Sequence, residues 1–339
     1  MTDEWRPDLL GVGFEQLSLP LGADVEGPVG ATLVRRLPSP ARRLLGPLRD
    51  VDVLAVHGWS DYFFDVELAR WWTDRGARFF ALDLRKYGRS LRDGQTPGYV
   101  DRLAEYDPDI DAGLAAMGHA PDASSHRRLV LLGHSTGGLT LSLWAARHPG
   151  RAAALVLNSP WLEFQLGAIG RQAIAPLVGV RARFDPRGTH PVVDLGFYTR
   201  AQRELGVLPA TGYREDWRPA QGFATHPGWL HAVIAGHAAV AAGIDVGCPA
   251  LVLLSTRSTP PVQWDDRMTS TDSVLVVDEI ARAASRIGRR VTLARIDGAI
   301  HDVFLSRPQP RAEAYTAMGD WLRGLPRSSR RAPSSSLAT

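Results

Sequence analysis

Residues Leu129 to Gly138 constrain this chain more than any other stretch. An apolar run, Leu129-Val130-Leu131-Leu132, leads into Gly133-His134-Ser135-Thr136-Gly137-Gly138, and a run of small residues follows. The apolar run predicts a strand and the small-residue run a helix. A serine between them must occupy a sharp strand-to-helix turn in strained backbone geometry, with its hydroxyl projecting from the end of a sheet. Side chains two positions either side of it would collide with the neighbouring strand and helix, so Gly133 and Gly137 keep that space empty. The helix that follows turns its N-terminal N–H groups and positive dipole end toward the serine, which favours an anion developing there. Glycine is abundant, 33 of 339 residues, so Gly-x-Ser-x-Gly arises easily by chance. The strand before it and the helix after it distinguish this one from an ordinary Gly/Ser turn.

The surroundings repeat the strand–helix alternation. Residues 14–37 read as two antiparallel strands with a turn around Leu21-Gly22-Ala23-Asp24, and Pro38, Pro40 and Arg42-Arg43 as a loop. Strands are then expected at 52–56, 78–82, 128–132 and 154–157, with helices at 64–75, 100–117 and 136–148 between them. The alternation stops after Asn158-Ser159-Pro160 and resumes with strands at 250–254 and 290–296 and helices at 275–287 and 311–323. Short apolar strands alternating with helices argue for a mostly parallel sheet covered on both faces. An insertion within one α/β domain fits better than two sequential domains. The expected division is a core of 1–160 and 246–326, a cap or lid insertion of 161–245, and a disordered polar tail of 327–339.

Composition narrows the classes. Hydrophobic residues make up 45% and charged residues 22%, as in ordinary globular domains. Lys plus Arg number 39 against 36 Asp plus Glu, a net charge of +3, and Lys86 is the sole lysine. The arginines are dispersed among acids, so no nucleic-acid partner is expected. The single cysteine, Cys248, excludes an internal disulfide or a cysteine-based metal cluster, and a buried apolar role suits it. Neither a metal nor a cofactor is expected. Met1 to Arg6 has no basic n-region or apolar h-region, and no apolar run approaches the ~18 residues of a membrane span. A cytoplasmic protein without an integral membrane segment is the expectation.

A serine hydroxyl near neutral pH needs a base to take its proton, usually a histidine oriented by a carboxylate. Of the ten histidines, His134 lies inside the motif, His148 ends a helix, and His119, His126 and His190 sit in loops. His301 follows the strand Val291–Ile296 and the loop Asp297-Gly298-Ala299-Ile300, at the sheet edge where open α/β folds bind ligands. It is the candidate base. The order Ser, acid, His places the acid between the two, with Asp272, Asp265 and Asp266 as candidates in the loop after strand 250–254. Asp272 is preferred because the loop returns toward the sheet there; the alternative for it is a helix N-terminal acid. Asp278 and Glu279 lie within the helix and are poorer choices. The backbone N–H of Thr136 is one candidate oxyanion donor. The second is the N–H of Trp59, in the loop His57-Gly58-Trp59-Ser60-Asp61, where Gly58 lets the backbone approach a substrate closely.

Four segments together resemble the α/β-hydrolase superfamily, in the branch of monoacylglycerol lipases, lysophospholipases and the serine aminopeptidase S33-like domain. They are His57-Gly58-Trp59-Ser60, Asp83-Leu84-Arg85-Lys86-Tyr87-Gly88-Arg89-Ser90, Gly133 to Gly138, and Gly298-Ala299-Ile300-His301-Asp302. The second departs from the family's Asp-x-Arg-Gly-x-Gly-x-Ser loop, because Lys86 stands where glycine is usual. In many relatives the acid follows its strand within a few residues, whereas Ser255 to Thr271 intervenes before Asp272 here. The resemblance implies an α/β-hydrolase fold with a mostly parallel eight-stranded sheet, helices on both faces and an inserted helical cap. It also implies Ser135 as nucleophile, His301 as base, and Trp59 and Thr136 as oxyanion donors.

The implied chemistry is cleavage of a small carboxylic ester, lipid-like esters included, through an acyl-enzyme. Trp161, Phe164, Trp217, Phe223 and Trp229 could line an apolar acyl pocket or simply pack the insertion onto the body. The competing readings are an S33-like peptidase, cofactor-free haloperoxidase-type activity, and a non-catalytic member of the fold that binds a ligand. Nothing in the sequence marks an α-amine pocket, and Ser135 stands where dehalogenases and epoxide hydrolases of this fold use aspartate.

Overall fold

The computed structural model describes residues 4–123, 125–189, 194–209 and 211–325. The tail expected at 327–339 and the loop histidine His190 lie outside these residues.

A two-residue edge strand, β1 (Arg6–Pro7), precedes the long hairpin β2 (Phe14–Asp24) and β3 (Gly27–Arg36). The hairpin turns at Val25-Glu26, not at Leu21–Asp24. The strand absorbs Leu21-Gly22 through a register shift between Pro20 and Ala23 and continues. The loop expected at Pro38–Arg43 instead holds α1 (Pro40–Leu45). The Ser39 hydroxyl caps it by accepting from the Arg42 N–H, and Pro40 occupies the position that tolerates a missing N–H.

Then follow β4 (Val51–Val56), α2 (Val66–Thr73), β5 (Arg78–Asp83) and α3 (Asp107–Met117). The helix expected from residue 100 starts only at Asp107, after a 3-10 turn at Leu103–Tyr106. Pro108 has no N–H to continue a helix from upstream. Next come β6 (Arg128–His134), α4 (Thr136–Arg147) and β7 (Ala154–Asn158). The β7–β8 connection carries α5 (Gly167–Phe184), α6 (Phe197–Glu204) and α7 (Pro227–Ala242). The chain closes with β8 (Ala250–Ser255), α8 (Val277–Ala284), β9 (Val291–Ile296) and α9 (Pro308–Gly324).

Among the described residues nine strands form one sheet, in the order β1-β2-β3-β5-β4-β6-β7-β8-β9; the sheet has one strand more than the eight expected, the two-residue β1 at its edge. The pairs β1–β2, β2–β3 and β3–β5 are antiparallel, and the others parallel. The central strands read as unbroken apolar runs because both faces are covered. Their side chains alternate between two cores: Leu54, Val56, Leu129 and Leu131 belong to one, and Val53, Ala55, Val130 and Leu132 to the other. Trp161, Trp229 and Val233 join the first core, so α7 packs into the body of the molecule.

This order creates the crevice. The chain leaves β4 toward β5 on one side and returns to β6 on the other, so the loops after β4 and β6 diverge at the C-terminal sheet edge. Trp59 follows β4 and Ser135 follows β6. Nearby, Lys86 takes a left-handed φ of 64°, the conformation its usual glycine would adopt freely. Its buried ammonium compensates by reaching the hairpin turn, 2.5 Å from Asp24 Oδ2 and 2.6 Å from Glu26 Oε2. Burial works to raise the Glu26 pKa, but hydrogen bonds from Lys86 and Thr96 outweigh it and hold the carboxyl at about 2.

Candidate active site

Ser135 sits in the turn its sequence requires, at φ 51° and ψ −118°, between the end of β6 and the first turn of α4. The two glycines are needed for space. A Cβ on Gly133 would lie 2.6 Å from Gly138 Cα, and one on Gly137 would lie 2.3 Å from the His57 carbonyl oxygen. Backbone bonds fix the turn: the Ser135 N–H donates 3.0 Å to the Asn158 carbonyl, and the Trp161 N–H donates 2.9 Å to the Ser135 carbonyl. Ser135 is 8% exposed.

His301 and Asp272 meet. His301 Nδ1 lies 2.9 Å from Asp272 Oδ2, with the histidine 3% and the aspartate 0% exposed. The other carboxylate oxygen accepts from the Val274 and Leu275 N–H groups, each at 2.8 Å. Asp272 is thus held as an acceptor, so His301 Nδ1 carries the proton and Nε2 keeps its lone pair. Asp265 and Asp266 are directed elsewhere: Asp265 pairs with Arg267, and Asp266 accepts from the Trp264 indole N–H.

The long interval before Asp272 has a simple geometry. Ser258 and Asp272 form a parallel bridge, with the Thr259 N–H donating to the Asp272 carbonyl and the Asp272 N–H to the Arg257 carbonyl. The excursion closes on itself and returns the acid to the end of β8. His301 is fixed through its neighbour. Asn158, at the end of β7, donates 2.7 Å to Asp302 Oδ1 and accepts from the Val303 N–H. Asp302 also faces His134, 4.0 Å from its Nε2, and the His134 ring centroid lies 4.9 Å from that of His301. Burial lowers the His134 pKa, against the opposing pull of the Asp302 carboxylate.

The loop after β4 is oriented by His57. The Leu84 N–H donates 3.1 Å to His57 Nε2, so Nδ1 carries the proton and donates 2.8 Å to the Gly58 carbonyl. In a trans peptide the C=O and the next N–H point opposite ways, so this bond turns the Trp59 N–H away from His57. Among the described residues, neither the Trp59 N–H nor the Thr136 N–H has a protein acceptor, and the Ser135 hydroxyl has no hydrogen-bond partner.

Aromatic side chains of the β7–β8 connection cover this loop. Trp229 lies 3.7 Å from Trp59 between ring centroids, Trp161 6.1 Å from Trp229, and Phe223 6.5 Å from Trp59. Trp217 lies apart, edge-on to Tyr62 at 5.3 Å, and Phe164 packs against the larger core.

Two contributors, Tyr198 and Arg218, carry no signal in the sequence, and the bond made by a third, Ser60 of the His57–Ser60 segment, is equally hidden there. Tyr198, on α6, stands edge-on to His301 at 5.4 Å. Arg218 donates 2.9 Å to Asp61, two residues beyond Trp59, and 2.9 Å to Gln202. Ser60 accepts 3.0 Å from the Phe223 N–H. Each joins residues more than 100 positions apart or on different elements, which periodicity cannot reveal. Among the described residues no group of His, Cys, Asp or Glu is arranged to hold a metal ion.

A mostly parallel sheet with a strained serine turn at its crevice, and a His–Asp pair on the loops after its last two strands, defines an α/β-hydrolase. The chain belongs to the serine aminopeptidase S33 family of hydrolases, whose sequence model matches residues 49–256. No curated protein matches it in sequence. Among solved structures, it resembles a monoacylglycerol lipase from Paleococcus ferrophilus, at 20% identity and a TM-score of 0.60 over 82% of this chain and 95% of that one. A carboxyl esterase from Bacillus coagulans aligns with a TM-score of 0.64 at 13% identity, over 93% and 99% of the two chains. A monoglyceride lipase from Saccharomyces cerevisiae aligns at 0.58 and 14%, over 91% and 96%. At these identities the likeness is one of fold.

Proposed function

We propose that this protein hydrolyses carboxylic esters with an apolar acyl group, using Ser135 as nucleophile, His301 as general base and acid, and Asp272 as the orienting carboxylate. The observation that carries this reading is the buried His301–Asp272 bond at 2.9 Å, which fixes the Nδ1–H tautomer at the sheet edge that bears Ser135. Ser135 Oγ attacks the ester carbonyl as His301 Nε2 takes its proton. The oxyanion accepts hydrogen bonds from the Trp59 and Thr136 N–H groups, both without protein acceptors and the latter opening α4. The tetrahedral adduct collapses as His301 returns the proton to the leaving alkoxide, and water repeats the sequence on the acyl-enzyme. Asp272 stays ionised and stabilises the imidazolium.

In this reading residues 161–245 form a cap over a core of 1–160 and 246–326. Trp229, Trp161 and Phe223 present apolar surface beside Trp59, which suits an acyl chain and supports a lipid-like ester. An aminopeptidase needs a free carboxylate to receive an α-ammonium. The nearby acids are engaged: Asp61 with Arg218, Glu163 with Arg171, and Asp302 with Asn158. The decisive experiment is p-nitrophenyl ester turnover across acyl lengths. Asp272→Asn is expected to lose about 10³–10⁴-fold in kcat, while Asp265→Asn stays within about twofold of wild type. Loss in Asp265→Asn with Asp272→Asn active would overturn the assignment.

A further inference from the structure

A hairpin tip is ordinarily solvated and needs no partner, but Glu26 at the tip of β2–β3 is saturated with them. Its Oε2 accepts from the Lys86 ammonium at 2.6 Å and the Thr96 N–H at 3.2 Å. Its Oε1 accepts from the Thr96 hydroxyl at 2.5 Å and from the Arg187 guanidinium. These bonds fill the roughly four acceptor sites of one carboxylate. Lys86, 1% exposed, also pairs with Asp24, so two cations and two carboxylates balance at the tip. Arg187 reaches the tip from 161 residues away, after α5 in the β7–β8 connection. Its guanidinium also lies over the Tyr99 ring, 4.3 Å from the centroid.

What Arg187 holds is the start of α7. The first N–H groups of a helix have no acceptor inside it, and Pro227 brings no N–H at all. The Gly228 N–H instead donates 2.9 Å to the Pro186 carbonyl. The His226 ring donates from Nδ1 to the Arg187 and Gly188 carbonyls, at 3.0 and 3.1 Å. Pro186 to Gly188 is therefore a collar on the first turn of α7. That turn sits directly on Tyr99, because a Cβ on Gly228 would strike the Tyr99 hydroxyl. The next residue is Trp229, fully buried and 3.7 Å from Trp59 between ring centroids. Trp59 also meets Tyr87 edge-on at 5.9 Å, and Tyr87 directly follows Lys86. The hairpin tip thus reaches the Trp59–Trp229 contact by two routes, through Arg187 to Trp229 and through Lys86 and Tyr87 to Trp59.

We propose that Glu26 is a positioning residue for the acyl side of the site, holding Trp229 against Trp59 through Arg187 and the collar at Pro186–Gly188. This role rests on the reading of Trp229 and Trp59 as the acyl side of an esterase. Full-length Glu26→Gln, Arg187→Gln and Lys86→Gly proteins test it. Glycine accepts the φ of 64° at position 86, so that variant removes the ammonium without straining the backbone. Amide hydrogen exchange is the first readout. Peptides spanning 226–232 should exchange at least about tenfold faster in Glu26→Gln and Arg187→Gln, while α6 peptides keep the wild-type rate. A merely structural role would speed exchange in both. The second readout is turnover of p-nitrophenyl octanoate against acetate. The octanoate-to-acetate ratio of kcat/KM should fall about tenfold in each variant, mainly through KM. Arg187→Lys, which keeps the charge, should recover part of that ratio, and Glu26→Gln should lower it no further in a Trp229→Leu background. Circular dichroism confirms that each variant is folded. Wild-type exchange at 226–232 in Glu26→Gln and Arg187→Gln would overturn the proposal, and so would an unchanged octanoate-to-acetate ratio. Absence of any ester turnover in the wild type would instead remove the proposed reaction, and hydrogen exchange alone would then decide whether Glu26 holds α7.

Discussion

The two helices that open the β7–β8 connection meet the rest of the molecule in opposite ways. The α6 end is locked to the site by buried polar bonds. Arg218 is held by Asp61, Gln202 and the Tyr213 hydroxyl, Phe223 by Ser60, and Tyr198 stands against the His301 ring. The α5 end carries its one buried ion pair, Arg171–Glu163, on the inside and turns aliphatic surface to the outside. One connection thus combines a segment built into the loops of the candidate site with one that turns apolar surface outward. The difference lies in the polar groups: around α6, Arg218, Gln202 and Asp61 are paired on the inside, whereas Arg181 and Arg183 at the C-terminal end of α5 face outward with no ion pair among the described residues.

That contrast makes graded predictions. Arg218→Ala leaves the half-buried Asp61 carboxylate and the buried Gln202 amide without their partner and should lower the unfolding free energy by about 3 kcal/mol in denaturant titration. Ester turnover should fall with it, because Asp61 lies two residues from Trp59. A loss no larger than that of an α5 surface variant would break the comparison.

An intermediate effect is expected at His237 on α7, fully buried with Nε2 2.9 Å from the Trp161 carbonyl. Burial pushes its pKa down to about 4, and the Glu163–Arg171 pair is the charged neighbour. Its folded pKa lies below the unfolded value of about 6.5, so the unfolded chain binds the extra proton and stability falls as pH drops from about 6.5 toward 4. Thermal melts should show about 2 kcal/mol lost between pH 7 and 5, and a smaller loss in His237→Gln. An identical pH dependence in the two proteins would remove His237 from the account. The smallest effect belongs to Leu177→Ser on the outer face of α5, within about 0.5 kcal/mol of wild type in the same titration.

What was legible in the sequence follows from how local each feature is. The Ser135 turn is encoded by four adjacent signals, an apolar strand, two glycines and a small-residue helix start, and it folds as read. His301 is legible because a strand, a short loop and a helix surround it. The route to Asp272 is not, because the Ser258–Asp272 bridge that returns the loop to the sheet is a pairing across the chain. The same holds for Arg218 and Tyr198, in a stretch where prolines and arginines interrupt any periodicity. Helix α1 was missed for a different reason. Its cap and its Pro40 are visible, but Leu44 and Leu45 are exposed, so no apolar face announces it. The hairpin turn moved because a bulge at Pro20/Ala23 accommodates a glycine that reads as a turn.

The central claim is that Ser135 is the nucleophile, and covalent labelling tests it most directly. A fluorophosphonate reacts with an activated serine and leaves a stable adduct that peptide mass spectrometry locates. Wild-type protein is expected to carry one adduct on the peptide containing Ser135, with labelling lost in Ser135→Ala and strongly slowed in His301→Ala. An adduct on another residue, or ester turnover by an unlabelled wild-type protein, would contradict the account.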